Sequence, residues 1–204
     1  KMDSKALHSL TYGLFVLTAK EGERDNGCII NTLIQVANTP DRVSIAVNKA
    51  NYTHDMVKRT GVFNVSVLSV KAKFDLFRNF GFQSGRVADK FSGFKDVKRS
   101  RNGLYYITDS ANAYLSCKVT EMHDLGSHTL FVAEITDGEV LSGDESVTYS
   151  YYFKNIKPAP QPKPEVKKGW VCSVCGYVYE GEELPAEFVC PVCKHPASDF
   201  VKLG

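Results

Sequence analysis

Four cysteines constrain this chain more than any other feature. The segment WVCSVCGYVYEGEELPAEFVCPVCKHPASDF places Cys172 and Cys175 in one CxxC pair and Cys190 and Cys193 in a second, with fourteen residues between the pairs. A CxxC turn presents two thiolates from one tight knuckle, and two such turns supply four soft ligands at tetrahedral positions, which zinc or a single iron accepts equally. Trp170, Tyr177, Tyr179, Phe188 and Phe200 crowd around the pairs and would shield a redox centre while leaving the knuckles near the surface. Cys28 and Cys117 stand apart in apolar or mixed surroundings. In a reducing compartment the four clustered thiols read as metal ligands rather than as disulfides.

Ahead of the cysteines runs KPAPQPKPEVKKG, with four prolines and four lysines. Alternating proline removes ladder and helix donors, so this stretch is expected to be an extended, semi-rigid linker. It divides the 204 residues into a domain at 1–157, a linker at 158–169 and a small domain at 170–204. Net charge over these three parts is +3, +2 and −3, too balanced for a phosphate-neutralising nucleic-acid surface. No apolar run reaches the ~20 residues needed to span a bilayer. Met2 reads as the original start, and the first thirty residues lack the order of a signal peptide, so a cytoplasmic protein is expected.

Short branched and aromatic runs dominate the large domain: YGLFVLTA, RVSIAVN, VFNVSVLS, GLYYITD, AYLSCKVTEM, HTLFVAEIT and SVTYSYYF, all expected to be strands. NTLIQVAN is a short helix candidate that also permits a strand. NYTHDMVKRTG reads as a helix burying Met56 and Val57 and ended by Gly61, and KAKFDLFRNFG sets Phe74, Phe77 and Phe80 near one face. The fold expected is mainly β, a barrel or sandwich with short helices. No P-loop and no GxGxxG occurs. AVNKANYTHDMVKRTG delivers Asn48, Lys49, Asn51, Tyr52, Thr53 and His54 into a loop opening a helix, where free backbone donors, hydroxyls and one lysine form a phosphate cradle. Helix capping beside a solvated lysine accounts for the same residues.

CxxCGYVYEG followed by CPVC resembles a rubredoxin domain over Trp170–Phe200, and the short interval between the pairs is similar to the rubredoxin-like domain of rubrerythrins. The resemblance implies one iron per chain, cycling between ferric and ferrous on the four cysteines. GCIINTLIQVANTPDRVSIAVNKANYTHDMVKRTGVFNVSVLS, FGFQSGRVADKF and HTLFVAEI resemble the flavin-reductase-like branch of the FMN-binding split barrels across most of residues 8–153. That family's flavin-approaching run falls on Ile29, Ile30, Asn31 and Thr32, and its following serine on Gln35. Its phosphate loop falls on Asn48 through His54, with Lys49, Tyr52, Thr53 and His54 as contacts. Ser84, Gly85 and Arg86 fall where the flavin and the incoming nicotinamide meet; a plain surface turn is the alternative. His128 matches a family histidine, although Ser127 stands in the place of its preceding aspartate.

Such barrels resemble homodimers with flavin sites at the subunit boundary. YSYYF, Tyr149 to Phe153, would form that boundary or complete the barrel core. The whole architecture resembles the high-molecular-weight rubredoxins of anaerobic bacteria. It implies an NAD(P)H:rubredoxin-type oxidoreductase, drawing on NADH or NADPH, that passes electrons through FMN to a mononuclear iron and on to a flavodiiron nitric oxide or dioxygen reductase. No side-chain nucleophile is needed, so His8, His54, His123 and His128 receive no acid–base role. The alternatives are a free flavin or ferric reductase, and a non-enzymatic FMN-binding protein with a structural zinc ribbon. In the leading reading the proline tether lets the iron unit alternate between flavin and acceptor, and Glu180, Glu182, Glu183 and Glu187 steer weak docking or simply solvate a small domain.

Overall fold

A computed structural model describes residues 3–158 and 169–203; all but the two ends of the linker expected at 158–169 lie outside the described residues. In chain order the strands are β1 Phe15–Glu21, β2 Arg24–Ile30, β3 Ile34–Asn38, β4 Asp41–Asn48, β5 Val62–Leu68, β6 Val97–Arg99, β7 Tyr105–Ile107, β8 Ala111–Asp124 and β9 His128–Val140. Helix α1, Tyr52–Thr60, connects β4 to β5, and α2, Phe74–Gly81, follows β5. Seven strands form one antiparallel sheet in the order β2-β1-β5-β8-β9-β4-β3, while β6 and β7 pair separately.

That sheet rolls on itself. Leu17 of β1 and Ile45 of β4 are separated by three intervening strands in the ladder, yet both belong to one buried cluster with Phe63, Cys117 and Phe131. Only a sheet curved into a barrel brings strands so far apart in pairing order to a shared interior. The edges β2 and β3 do not pair with each other, so the barrel stays split. A second cluster covers part of the outer face, where Val16, Leu68 and Ile107 meet Phe77 and Phe80 of α2 and Tyr152 beyond the sheet. Strand β1 is thus buried on both sides from Phe15 to Ala19, which explains why its sequence is an almost continuous apolar run.

Helix α1 forms as its sequence suggests. Met56 and Val57 are fully buried, and Gly61 at φ +70° ends the helix by donating its N–H to the Val57 carbonyl at 2.9 Å. One open reading is resolved and one needs correction. NTLIQVAN contributes strand β3, because branched Ile34 and Val36 sit on an edge that pairs with β4 from Ser44 to Asp41 and the segment is too short to bury a helical face. SVTYSYYF is not a strand but a helical turn at Tyr149–Tyr151 continued as a π turn over Tyr152–Ile156. The Thr148 hydroxyl accepts from the Tyr151 N–H at 3.1 Å and so starts the turn. Tyr152 packs in the core, 4.6 Å from Phe77 between ring centroids, while Tyr149 and Phe153 stay partly exposed.

The C-terminal unit has three short strands, β10 Gly169–Cys172, β11 Val178–Tyr179 and β12 Phe200–Leu203, in the order β11-β10-β12. Phe188 packs edge-on against Phe200 at 5.4 Å and against Tyr179 at 4.7 Å, forming the aromatic shell around the cysteines. No helix among the described residues is long and apolar enough to cross a membrane.

Phe131 is fully buried where β4 and β8 flank β9, so Phe131→Ala should cost about 3–5 kcal/mol of barrel stability. The chain's one tryptophan, Trp170, lies in the C-terminal unit. The substitution should therefore shift the urea transition followed by far-ultraviolet circular dichroism more than the one followed by tryptophan emission, and equal shifts would contradict this partition of the core.

Candidate functional site

The four cysteine sulfurs lie within 4.8 Å of one another, and Cys172–Cys193 and Cys175–Cys190 approach to 3.5 Å. Metal–sulfur bonds of ~2.3 Å in a tetrahedron place sulfurs about 3.8 Å apart, so this set fits one zinc or iron ion. The two knuckles repeat the same backbone bonds. Cys172 N–H donates to Tyr177 O and Gly176 N–H to Cys172 O, both at 2.8 Å; Cys190 N–H donates to His195 O at 2.8 Å and Lys194 N–H to Cys190 O at 2.9 Å. Each knuckle closes through a left-handed residue, Gly176 at φ +77° and Lys194 at φ +63°. Trp170, Tyr177, Tyr179, Phe188 and Phe200 do surround the cysteines.

A cavity of about 390 Å³ opens where the ends of β2, β4 and β9 meet the start of α1 and the end of α2. Pairing of β4 with β9 sets Asn48 opposite His128, which puts both on one rim. Of the residues singled out in the sequence, Ile29, Ile30, Asn31, Thr32, Asn48, Tyr52, Thr53, Ser84, Gly85 and His128 line this space. The Thr32 hydroxyl is tied to β4, donating to Ala46 O at 2.8 Å and accepting from Ala46 N–H at 3.0 Å. It fixes the wall.

Four of the expected residues do not line the cavity. Gln35 is exposed on β3 and donates to Ala37 O and Asp41. Lys49 is drawn outward to Asp124 at 2.7 Å. His54 is buried behind the wall, with Nε2 2.8 Å from the Thr129 hydroxyl and Nδ1 3.0 Å from Asp55. Arg86 reaches Asp55 at 2.6 Å and lies over the Tyr52 ring, as does Arg24 from the other strand end. Burial pushes the Asp55 carboxyl up, but the bonds from His54 and Arg86 outweigh it and hold Asp55 below the usual range.

Several lining groups carried no signal in the sequence. Lys90 is buried, and its ammonium donates to Gly27 O at 2.8 Å and Phe80 O at 3.0 Å at the cavity floor. Burial pushes its pKa down and pushes the adjacent Cys28 thiol up. Asn26, also buried, donates to the Thr53 hydroxyl at 2.9 Å. Gly85 lies flat on it, since a Cβ at 85 would come within 2.1 Å of Asn26 Oδ1. A lysine or asparagine in a polar loop reads as solvated, so only the packing reveals these as walls. Tyr149, Tyr152, Phe153 and Lys157 also reach the cavity. The most informative wall comes from the other unit: Val174 of the first knuckle and Val192, Cys193, Lys194 and His195 of the second. The metal centre and the cavity therefore share a boundary.

A model of the Flavin reductase like domain matches residues 7–160, and one of the Rubrerythrin, rubredoxin-like domain matches 170–201. A High molecular weight rubredoxin of Moorella thermoacetica is 36% identical, the match covering 94% of this chain and 96% of that protein. A Ferric-chelate reductase (NAD(P)H) of Archaeoglobus fulgidus is 37% identical over 74% of this chain and 89% of its own. The fold of a Streptomyces globisporus NADH:FAD oxidoreductase superposes with a TM-score of 0.64 at 24% identity, covering 71% of this chain and 84% of that one.

The left-handed knuckle residues should respond oppositely to exchange. A Cβ on Gly176 meets nothing within 4 Å, so Gly176→Ala costs only backbone strain, ~1–2 kcal/mol, while Lys194→Gly relieves a similar strain. Thermal unfolding of the C-terminal unit, read by Trp170 emission, should fall in the first variant and rise in the second. A separate outcome concerns His128, whose pKa burial lowers first and the charge of nearby His54 lowers further. Its NMR titration should fall below the usual ~6.5 and rise in His54→Asn; a midpoint unmoved by that exchange would contradict the coupling.

Proposed function

The chain belongs to the flavin reductase-like family, in the high-molecular-weight rubredoxin branch with an appended rubredoxin-like domain, and on that premise we propose a self-contained electron path from NAD(P)H through FMN to iron. The observation that carries the proposal is the shared boundary: Cys193, a metal ligand, is itself a wall of the cavity assigned to the flavin. When bound, a flavin takes two electrons from a nicotinamide together and yields them singly, so that one NAD(P)H and two ferric centres give NAD(P)+, H+ and two ferrous centres.

The chain's own residues bind, orient and insulate. Residues 48–53 present the start of α1, where the first N–H groups have no intrahelical acceptor and suit a phosphate. Asn31, Asn48 and the neutral His128 offer polar atoms at the rim, and Ile29 and Ile30 an apolar bed. The Lys90 ammonium has three donors, two of them on carbonyls, leaving one for an anionic or carbonyl edge. Gln35, Lys49, His54 and Arg86 belong to the surrounding scaffold in this reading. A volume of about 390 Å³, at the lower end of the ~300–1,000 Å³ of small-molecule sites, suits a mononucleotide. Four thiolates beside a flavin cavity favour iron over a structural zinc, because only iron can take the electron.

The proposal extends to a homodimer, to a cytoplasmic setting that keeps the thiols reduced, and to a flavodiiron protein as terminal acceptor; its support is the family architecture and the acidic carrier unit. The similarity to a ferric-chelate reductase favours one further reading, in which a soluble ferric complex takes the electrons directly. That reading leaves the C-terminal unit idle.

Anaerobic purification followed by a visible spectrum tests the proposal. Iron–thiolate charge-transfer bands superposed on flavin absorption, both bleached by substoichiometric NADH or NADPH, are expected. A flavin spectrum alone, with zinc by metal analysis, contradicts it.

A further inference from the structure

Seating the metal unit against the cavity has a consequence for the nicotinamide. Val174, Val192, Cys193, Lys194 and His195 wall the space on one side, and what remains is about 390 Å³. That volume admits one small cofactor; a flavin and a stacked nicotinamide dinucleotide together exceed it by the ordinary scale of such sites.

The seated position is also held. Lys157, the last residue before the linker, donates from Nζ to the Val174 carbonyl at 3.3 Å, joining the large unit to the first knuckle. The same ammonium lies 4.9 Å from the centroid of the Phe153 ring, which is braced edge-on by Tyr149 at 4.9 Å. Phe153 is 48% exposed, so its ring is not needed to fill the barrel core. These contacts form a latch from the helical turn, across Lys157, to the backbone of a metal-bearing knuckle.

We infer that the metal unit is a latched gate on the flavin cavity, and that the ligand it excludes while seated is the nicotinamide dinucleotide. This rests on the electron path proposed above. Nicotinamide enters and leaves with the metal unit withdrawn, and the unit returns to collect electrons one at a time. Reduction by nicotinamide and collection by iron then occur in separate conformations. Lys157 and Phe153 are positioning residues: they act through the placement of the metal unit.

The test uses the full-length, flavin- and iron-loaded chain, the variants Lys157→Ala and Phe153→Ala, and Val192→Glu as an independent change on the opposite side of the contact. Binding of oxidised nicotinamide dinucleotide, which cannot reduce the flavin, is titrated by perturbation of flavin absorbance. The delay between flavin and iron bleaching after NADH addition is then measured by anaerobic stopped flow. Weakening the seated state should tighten nicotinamide binding about fivefold while slowing iron reduction, so the two readouts move in opposite directions. Unchanged nicotinamide affinity in all three variants overturns the gate while the electron path stands. Affinity and iron reduction falling together also overturn it, since these residues would then merely support the cavity. Absence of bound flavin from every form overturns both the path and the gate.

Discussion

Everything else rests on one shared interior, the cluster that gathers Leu17 of β1, Ile45 of β4, Phe63 of β5 and Phe131 of β9 inside the curled sheet. Leu17 and Ile45 share that cluster only because the seven-stranded sheet curls, and the curl gathers the ends of β2, β4 and β9 and the start of α1 around one opening. A flat sheet would leave Asn31, Asn48 and Thr53 along a broad surface. The outer cluster adds the second requirement: Phe77, Phe80 and Tyr152 hold α2 and the last helical turn on the barrel's outside, so the 84–90 loop and Phe153 border the same opening.

Beneath the opening lies a polar layer with little freedom. Lys90 on Gly27 and Phe80 carbonyls, Asn26 on Thr53, and His54 between Asp55 and Thr129 are buried groups whose partners are fixed. Such groups are costly to bury unpaired, so the layer specifies one arrangement of the wall. The metal knuckles solve the same problem differently: paired backbone bonds and two left-handed residues aim four sulfurs inward with little apolar core behind them.

Much of this was legible in the residues. Both CxxC pairs, the aromatic shell, helix α1 with its Gly61 stop and the alternation of β4, β5 and β9 follow from spacing and periodicity, which are local properties. What was not legible depends on partners remote in sequence. Strand β2 begins Arg-Asp-Asn-Gly, polar residues whose burial at Asn26 is set by α1 and the 85 loop. Lys49 and His54 belonged to a plausible phosphate loop, yet Asp124 and Thr129, about 75 residues away along the chain, draw them elsewhere. Tyr149–Phe153 alternates like a strand, but Thr148 caps a turn there and Phe77 receives Tyr152. The shared boundary between the two units is the least local feature, and no motif announces it.

The proposed electron path runs within one molecule, from its flavin to its iron, and not by collision between molecules. Its most direct test is the rate of iron bleaching, following flavin reduction by a stoichiometric pulse of NADH, measured across a hundredfold range of protein concentration under anaerobic conditions. An intramolecular path predicts a first-order rate that does not change with concentration. A rate rising in proportion to concentration would show that electrons pass between molecules, and would rule out the internal path.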